Sequence, residues 1–278
     1  MNDMTYPSTT ERVKTWLEAC PGSPEAGGQV LHIRFNNPAK HNALSVDMWE
    51  AVPPLLARAE KDDNVRLVVF SGEGEKAFVS GADISQFEDM RAAKEAVKRY
   101  EQMAEAALEG IYEFAKPTLA CIRGYCIGGG VNVAISCDIR IASSTSVYAI
   151  PASRLGLGYR FSAMRNLTNL IGPGYAKDIF FTGRRLQSDE ALRIGLVNRV
   201  AEPQALEGLL AEYTAAICSG APLTIKAGKR IIREVLALDA DFDQELCRGL
   251  ILECFESEDY AEGRRAFMEK RKPVFKGK

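Results

Sequence analysis

The chain has 278 residues, 46% hydrophobic and 26% charged, the composition of an ordinary globular protein with room for one large α/β core and an appendage. Its 35 Lys and Arg against 37 Asp and Glu leave a formal charge of -2 and no bulk basic field, which argues against nucleic-acid partners. No apolar run approaches the roughly 18–20 residues that span a bilayer, and Glu11, Arg12, Lys14 and Glu18 stand where a secretory signal would be apolar, so a cytoplasmic protein without membrane contact is expected.

Residues 1–27 are polar and run into Pro21-Gly22-Ser23-Pro24, which reads as a flexible leader. Leu31, Ile33 and Phe35 alternate with His32 and Arg34, the period-2 pattern of a half-buried strand with His32 on its solvated face. Ser45 is placed to cap a helix, and Leu67 to Phe70 reads as a buried strand ending in the turn Ser71-Gly72-Glu73-Gly74. A charged helical stretch from about Glu88 to Phe114 stops at Pro117, before strands at Thr118 to Ile122, Ile139 to Ala142 and Ser146 to Ile150. Beyond Leu167 the texture is helical, with helices expected at 174–182, 188–194, 206–219, 222–236, 243–255 and 259–270. Strands first and helices last suggest an α/β core over 28–200 and a helical region over 201–278.

The seven cysteines, Cys20, Cys121, Cys126, Cys137, Cys218, Cys247 and Cys254, include no C-x-x-C pair, and most have apolar neighbours, as expected of free thiols acting as small hydrophobes. With His32 and His41 the two histidines of the chain, no Cys/His metal site is expected, and an ordinary histidine general base is nearly excluded. Gly72-x-Gly74-x-x-Ala77 loosely matches a dinucleotide fingerprint, but Glu73 and Glu75 would repel a pyrophosphate and no helix opens there, so it reads as a turn.

Two glycine sites carry more. Ser80-Gly81-Ala82-Asp83-Ile84 follows one strand, and Gly124-Tyr125-Cys126-Ile127-Gly128-Gly129-Gly130 links another to the helix-like Val131 to Ser136. Free N–H groups at such a strand-to-helix turn can stabilise a developing negative charge, and two such turns face to face would make a two-donor oxyanion hole. Glycines that only permit close packing would look the same.

These segments also carry a resemblance. Phe35-Asn36-Asn37-Pro38-Ala39-Lys40-His41-Asn42-Ala43-Leu44, Lys76 to Ile84, Gly124 to Gly130, Cys137 to Ala142, Phe181-Thr182-Gly183-Arg184-Arg185 and the ending Glu262-Gly263 to Gly277 together resemble the crotonase (enoyl-CoA hydratase/isomerase) superfamily, in order, over about residues 28–278. The resemblance implies an α/β spiral of ββα units with a C-terminal helical trimerisation region, assembled as a trimer or a dimer of trimers. It implies an acyl-CoA thioester as substrate, with coenzyme A entering as part of that substrate and no separate cofactor. By position, the backbone N–H groups of Ala82 and Gly129 become the oxyanion hole for a thioester enolate. Lys40, His41, Ala43, Leu44, Ala82, Asp83 and Ile84 line the coenzyme A site, and Lys270 and Lys276, with Arg271 and Lys272, are candidates for its phosphates.

The sequence departs from that pattern where family hydratases carry two glutamates. The first position is Asn132, and the second, after Pro151, is Ala152. A positioned general acid or base contributes roughly 10²- to 10⁴-fold, so hydration itself is expected to be crippled while the backbone hole persists. Tyr159 is a candidate acid, Arg160 or Arg154 a candidate for a substrate carboxylate, and Ser153 a candidate donor, each with an alternative use in packing or at the rim. Glu101, Glu105 and the other glutamates before Pro117 read as a solvated helix face, and Asp138 as structural. The rival expectations are decarboxylation of a malonyl-type CoA, a catalytically silent acyl-CoA-binding protein and a plain structural trimer.

Overall fold

A computed structural model describes residues 6–21, 28–83, 93–155 and 158–236, with 245, 246, 249, 253 and 256–278. Its larger sheet has six strands in the order β1 (Val13–Ala19), β2 (Gln29–Phe35), β3 (Val65–Gly72), β5 (Thr118–Ile122), β7 (Ile139–Ser143) and β10 (Arg199–Ala201). All neighbours are parallel except β1, which runs antiparallel along β2 from Val13↔Phe35 to Ala19↔Gln29. The smaller sheet has the order β4 (Ala77–Val79), β6 (Tyr125–Ile127), β8 (Val147–Ala149) and β9 (Leu186–Gln187). Each of β3, β5 and β7 passes within a few residues to a short strand of the smaller sheet, the step that repeats along the spiral.

Parallel strands require crossovers, and helices supply them here. They are α1 (Val46–Lys61), α2 (Ala93–Glu113) and α3 (Gly129–Ser136), followed by α4 (Ala152–Leu155), α5 (Phe161–Thr182), α6 (Ser188–Arg193), α7 (Leu206–Cys218), α8 (Pro222–Val235) and α9 (Glu258–Met268). The main core lies where Ile33, Phe35, Val68, Phe70, Ala120 and Ile122, from one face of the larger sheet, meet Trp49, Leu55 and Leu56 of α1 and Ala104 and Ile111 of α2. On the opposite face Val30, Leu67, Val69, Leu119, Cys121 and Ile141 form a second cluster, under Leu206, Leu210 and Cys218 of α7.

Three expectations change. Residues 13–19 are not part of a loose leader: Val13 and Leu17 alternate inward and complete the sheet edge. His32 is not solvated, being 5% exposed and stacked on Trp16 at 4.5 Å, with Glu18 2.9 Å from its Nε2, because β1 and α7 cover that face. Cys20 and Cys218 are not free thiols; they are joined in a disulfide with Cα atoms 5.8 Å apart, whereas Cys121, Cys126 and Cys137 are free and buried. Strand β10 also spans the expected boundary near residue 200, and α7 packs on the larger sheet.

Candidate active site

The first glycine turn follows β4. Its neighbour in space is the segment before α1, where Leu44 N donates to Gly81 O at 2.8 Å and Asp83 N donates to Leu44 O at 2.9 Å. This bridge passes over the amide of Ala82, which donates to no other described residue. The second turn follows β6. Gly128, at φ +51°, donates to Ala149 O at 2.8 Å, and Gly129 opens α3, where a first-turn amide has no intrahelical acceptor.

The two turns abut. A methyl group placed on Gly129 would lie 3.9 Å from Gly81 Cα and 3.7 Å from the Trp49 ring. The next residue is tighter: a Cβ on Gly130 would lie 2.3 Å from Val79 O, so only glycine lets the start of α3 close on β4. Two turns, each with an amide that has no acceptor among the described residues, thereby meet at Gly81 and Gly129, with the positive end of α3 behind the second.

Around this pair the structure gathers most of the expected contact residues. Lys40 Nζ holds the Asp83 carboxylate at 2.9 and 3.1 Å, and Ala43 and Leu44 lie in the adjoining segment. His41 takes left-handed backbone (φ 52°), with its ring edge-on to Tyr125 at 6.3 Å. Ile84 lies outside the described residues. Asn42, not singled out in the sequence, fixes this loop: it is fully buried, accepts from Asn37 N and donates to Glu73 O and Ala77 O. Its tolerance of left-handed backbone and its four-way amide were the signals available.

Lys270 and Lys276 are not brought there within one chain. Lys276 lines a cavity of about 150 Å³ with Arg66, at the start of β3, and its backbone N donates to Asp259 of α9. Arg66 is near the start of β3, and the chain reaches β4 and the Ala82 turn only from the other end of that strand, roughly 20 Å along it at about 3.3 Å per residue. Lys270 is exposed just past the end of α9.

The acid–base region holds no glutamate at the two expected positions. Asn132, 6% exposed, lies three residues beyond Gly129 in α3, hence on the same helix face. The Tyr159 hydroxyl donates to Asn132 Oδ1 at 2.6 Å, and its ring meets Phe180 edge-on at 5.3 Å. Burial raises the phenol pKa, against the opposing effect of the Asn132 bond, so the group stays neutral. Ala152, 3% exposed, stands at the start of α4 and offers only a methyl there.

The other candidates are already engaged. Ser153 donates to Phe181 O at 3.2 Å, and Arg154 donates twice to Thr182 O. Arg160 pairs with Glu101 and, at 3.1 Å, with Glu105, whose other oxygen accepts from Ser162 at 2.6 Å. Glu101 and Glu105 are therefore not simply a solvated face. Their i, i+4 spacing aligns both toward the N-terminus of α5, a signal that needed the partner helix to be interpreted. Asp138 is structural, accepting from Thr118 N and Oγ1 and from Lys229.

Two glycine turns thus abut inside a spiral of paired long and short strands. A sequence profile of the enoyl-CoA hydratase/isomerase family matches residues 25–278, and the chain belongs to that family, the crotonase superfamily. Short-chain-enoyl-CoA hydratase of Clostridium acetobutylicum is 36% identical over 248 residues, 89% of this chain and 94% of that protein. (E)-benzylidenesuccinyl-CoA hydratase of Thauera aromatica is 30% identical over 92% of this chain and 99% of its own length. An enoyl-CoA hydratase/isomerase family protein from Hyphomonas neptunium superposes with a TM-score of 0.88 at 35% identity, covering 98% of this chain and 100% of that one. An enoyl-CoA hydratase/carnithine racemase from Magnetospirillum magneticum gives 0.89 at 30% identity, covering 98% of each chain.

Proposed function

We propose that this acyl-CoA enzyme binds a thioester with its carbonyl between the amides of Ala82 and Gly129 and stabilises the enolate that forms there. The observation that carries this reading is the contact of two turns, each presenting an unused amide. One such donor is typically worth about 2.7 to 4 kcal/mol in the transition state. Lys40, His41, Ala43, Leu44 and Asp83 line the coenzyme A side. Assembly as a trimer or dimer of trimers would let Lys270 and Lys276 approach the phosphates of a neighbour's coenzyme A.

Direct hydration is disfavoured by chemistry. Water must lose a proton as it adds, and Asn132 cannot accept one at neutral pH. Tyr159 is a neutral hydrogen-bond donor, suited to protonating or polarising an intermediate rather than to generating hydroxide. Decarboxylation of a malonyl-type CoA is the second reading: departing CO₂ leaves the electron pair on the α-carbon as the enolate, and no base is needed. The pairing of Arg160 with Glu101 and Glu105 removes the guanidinium first considered for the substrate carboxylate, so that reading rests on the neutral Tyr159–Asn132 pair instead.

The deciding experiment is crotonyl-CoA turnover by the wild type beside an Asn132→Glu/Ala152→Glu double variant, with coenzyme A ester binding measured on both. The expected result is ester binding with hydration near background, rising by about 100-fold or more in the double variant. Substantial wild-type hydration would overturn the acid–base argument. Absence of ester binding would remove the enolate reading.

A further inference from the structure

We propose that Cys20 and Cys218 are a reversible thiol–disulfide site that fastens the end of α7 to the edge of the larger sheet, formed by exchange with a low-molecular-weight disulfide such as glutathione disulfide. Cys20 directly follows β1 and Cys218 is the last residue of α7; their Cα separation of 5.8 Å lies in the range a disulfide requires. Both belong to the apolar cluster on the outer face of the sheet and retain slight solvent access, at 5% and 6% exposure.

The position is built for a sulfur atom. Cys20 N donates to Gly28 O at 3.0 Å, and a side chain on Gly28 would begin 3.1 Å from Cys20 Sγ and 2.7 Å from Arg66 Cγ. The absent side chain leaves that space to the cysteine. Among the other described cysteines, Cys121 shares the cluster yet is unbonded, and Cys126 and Cys137 are also free and buried.

The exchange balances with glutathione disulfide as the oxidant. One thiolate of the pair attacks a sulfur of glutathione disulfide and expels one glutathione; the second then attacks the mixed disulfide and expels the other. The protein gives up two electrons and two protons, and two reduced glutathiones carry them away. The bond closes a span of 198 residues, so it restricts the unfolded chain strongly. It lies on the sheet face opposite the Ala82–Gly129 turns, and so acts on stability and on the seating of α7 independently of the catalytic reading.

The test equilibrates the full chain with oxidised or reduced glutathione, followed by denaturation, alkylation, non-reducing peptide mapping and thermal melting. In the oxidised sample a Cys20–Cys218 cross-linked peptide is expected, with both absent from the alkylated set. Its melting midpoint is expected to be about 5 °C or more above the reduced sample. A Cys20→Ser/Cys218→Ser double variant is expected to melt identically in both buffers. Full alkylation of Cys20 and Cys218 after oxidised glutathione would overturn the proposal. So would pairing of either with a different cysteine, or a midpoint that ignores reduction.

Discussion

The two halves of the candidate site are made of different material. In the proposed reading the chemistry at Ala82 and Gly129 belongs to the main chain, where two turns abut and their amides have no acceptor among the described residues. In the same reading, at Asn132, Ala152 and Tyr159 it belongs to side chains, which present an amide, a methyl and a neutral phenol. A main-chain site is tied to the fold and cannot be removed without disturbing packing. A side-chain site can be rewritten while the fold stays unchanged. Under the proposed reading, one such scaffold keeps its means of holding an enolate while changing how, or whether, protons move.

The most severe break falls on the main-chain half. Gly130→Val would drive a side chain into Val79 O, 2.3 Å from its own Cβ, and is expected to cost about 3 kcal/mol or more. Thermal melting and ester titration should show stability and affinity falling together. Tyr159→Phe tests the other half. It keeps the ring contact with Phe180 but removes the donor to Asn132 Oδ1, so turnover of the true substrate should fall about 100-fold while ester affinity changes less than twofold. If affinity collapsed instead, the separation of the two halves would be wrong.

A third prediction lies outside both halves. Burial holds the His32 pKa below its ordinary value, against the pull of Glu18. The unfolded chain therefore takes up this proton first as pH falls, and binds more protons than the fold. Stability should decline as pH drops through about 6.5, with a slope from this group of at most about 1.4 kcal/mol per pH unit. Denaturant melts of His32→Gln should show that component of the slope gone, with ester binding at neutral pH unchanged. The smallest effect is expected from Arg160→Ala, whose partners Glu101 and Glu105 are substantially exposed. A loss of about 0.5–1 kcal/mol, shrinking with added salt, should appear in melts at two ionic strengths.

Much of the architecture was legible along the chain because it is written in local pattern. The alternation in Leu31 to Phe35, the apolar run at Leu67 to Phe70 and the stop at Pro117 report periodicities and breaks that act within a few residues. The glycine turns were equally plain, as were Asn132 and Ala152 in their motifs, since each is a matter of which residue stands at a position. What the sequence alone determined, therefore, is the family and the strands and helices that carry a strong local pattern, such as β2, β3 and β5.

Tertiary structure decided everything that depends on a distant partner. Val13 to Ala19 became an edge strand because β2 offered an unpaired side, although its polar neighbours gave it the texture of a tail. Arg160 was withdrawn from the list of substrate contacts by two glutamates more than fifty residues earlier, and Cys20 met Cys218 across 198 residues. Lys276 was carried to the far end of β3 by the return of the C-terminal segment beneath α9. Ion pairs, disulfides and the convergence of two amides are set by three-dimensional proximity, and proximity between remote residues leaves no periodicity in the chain that connects them.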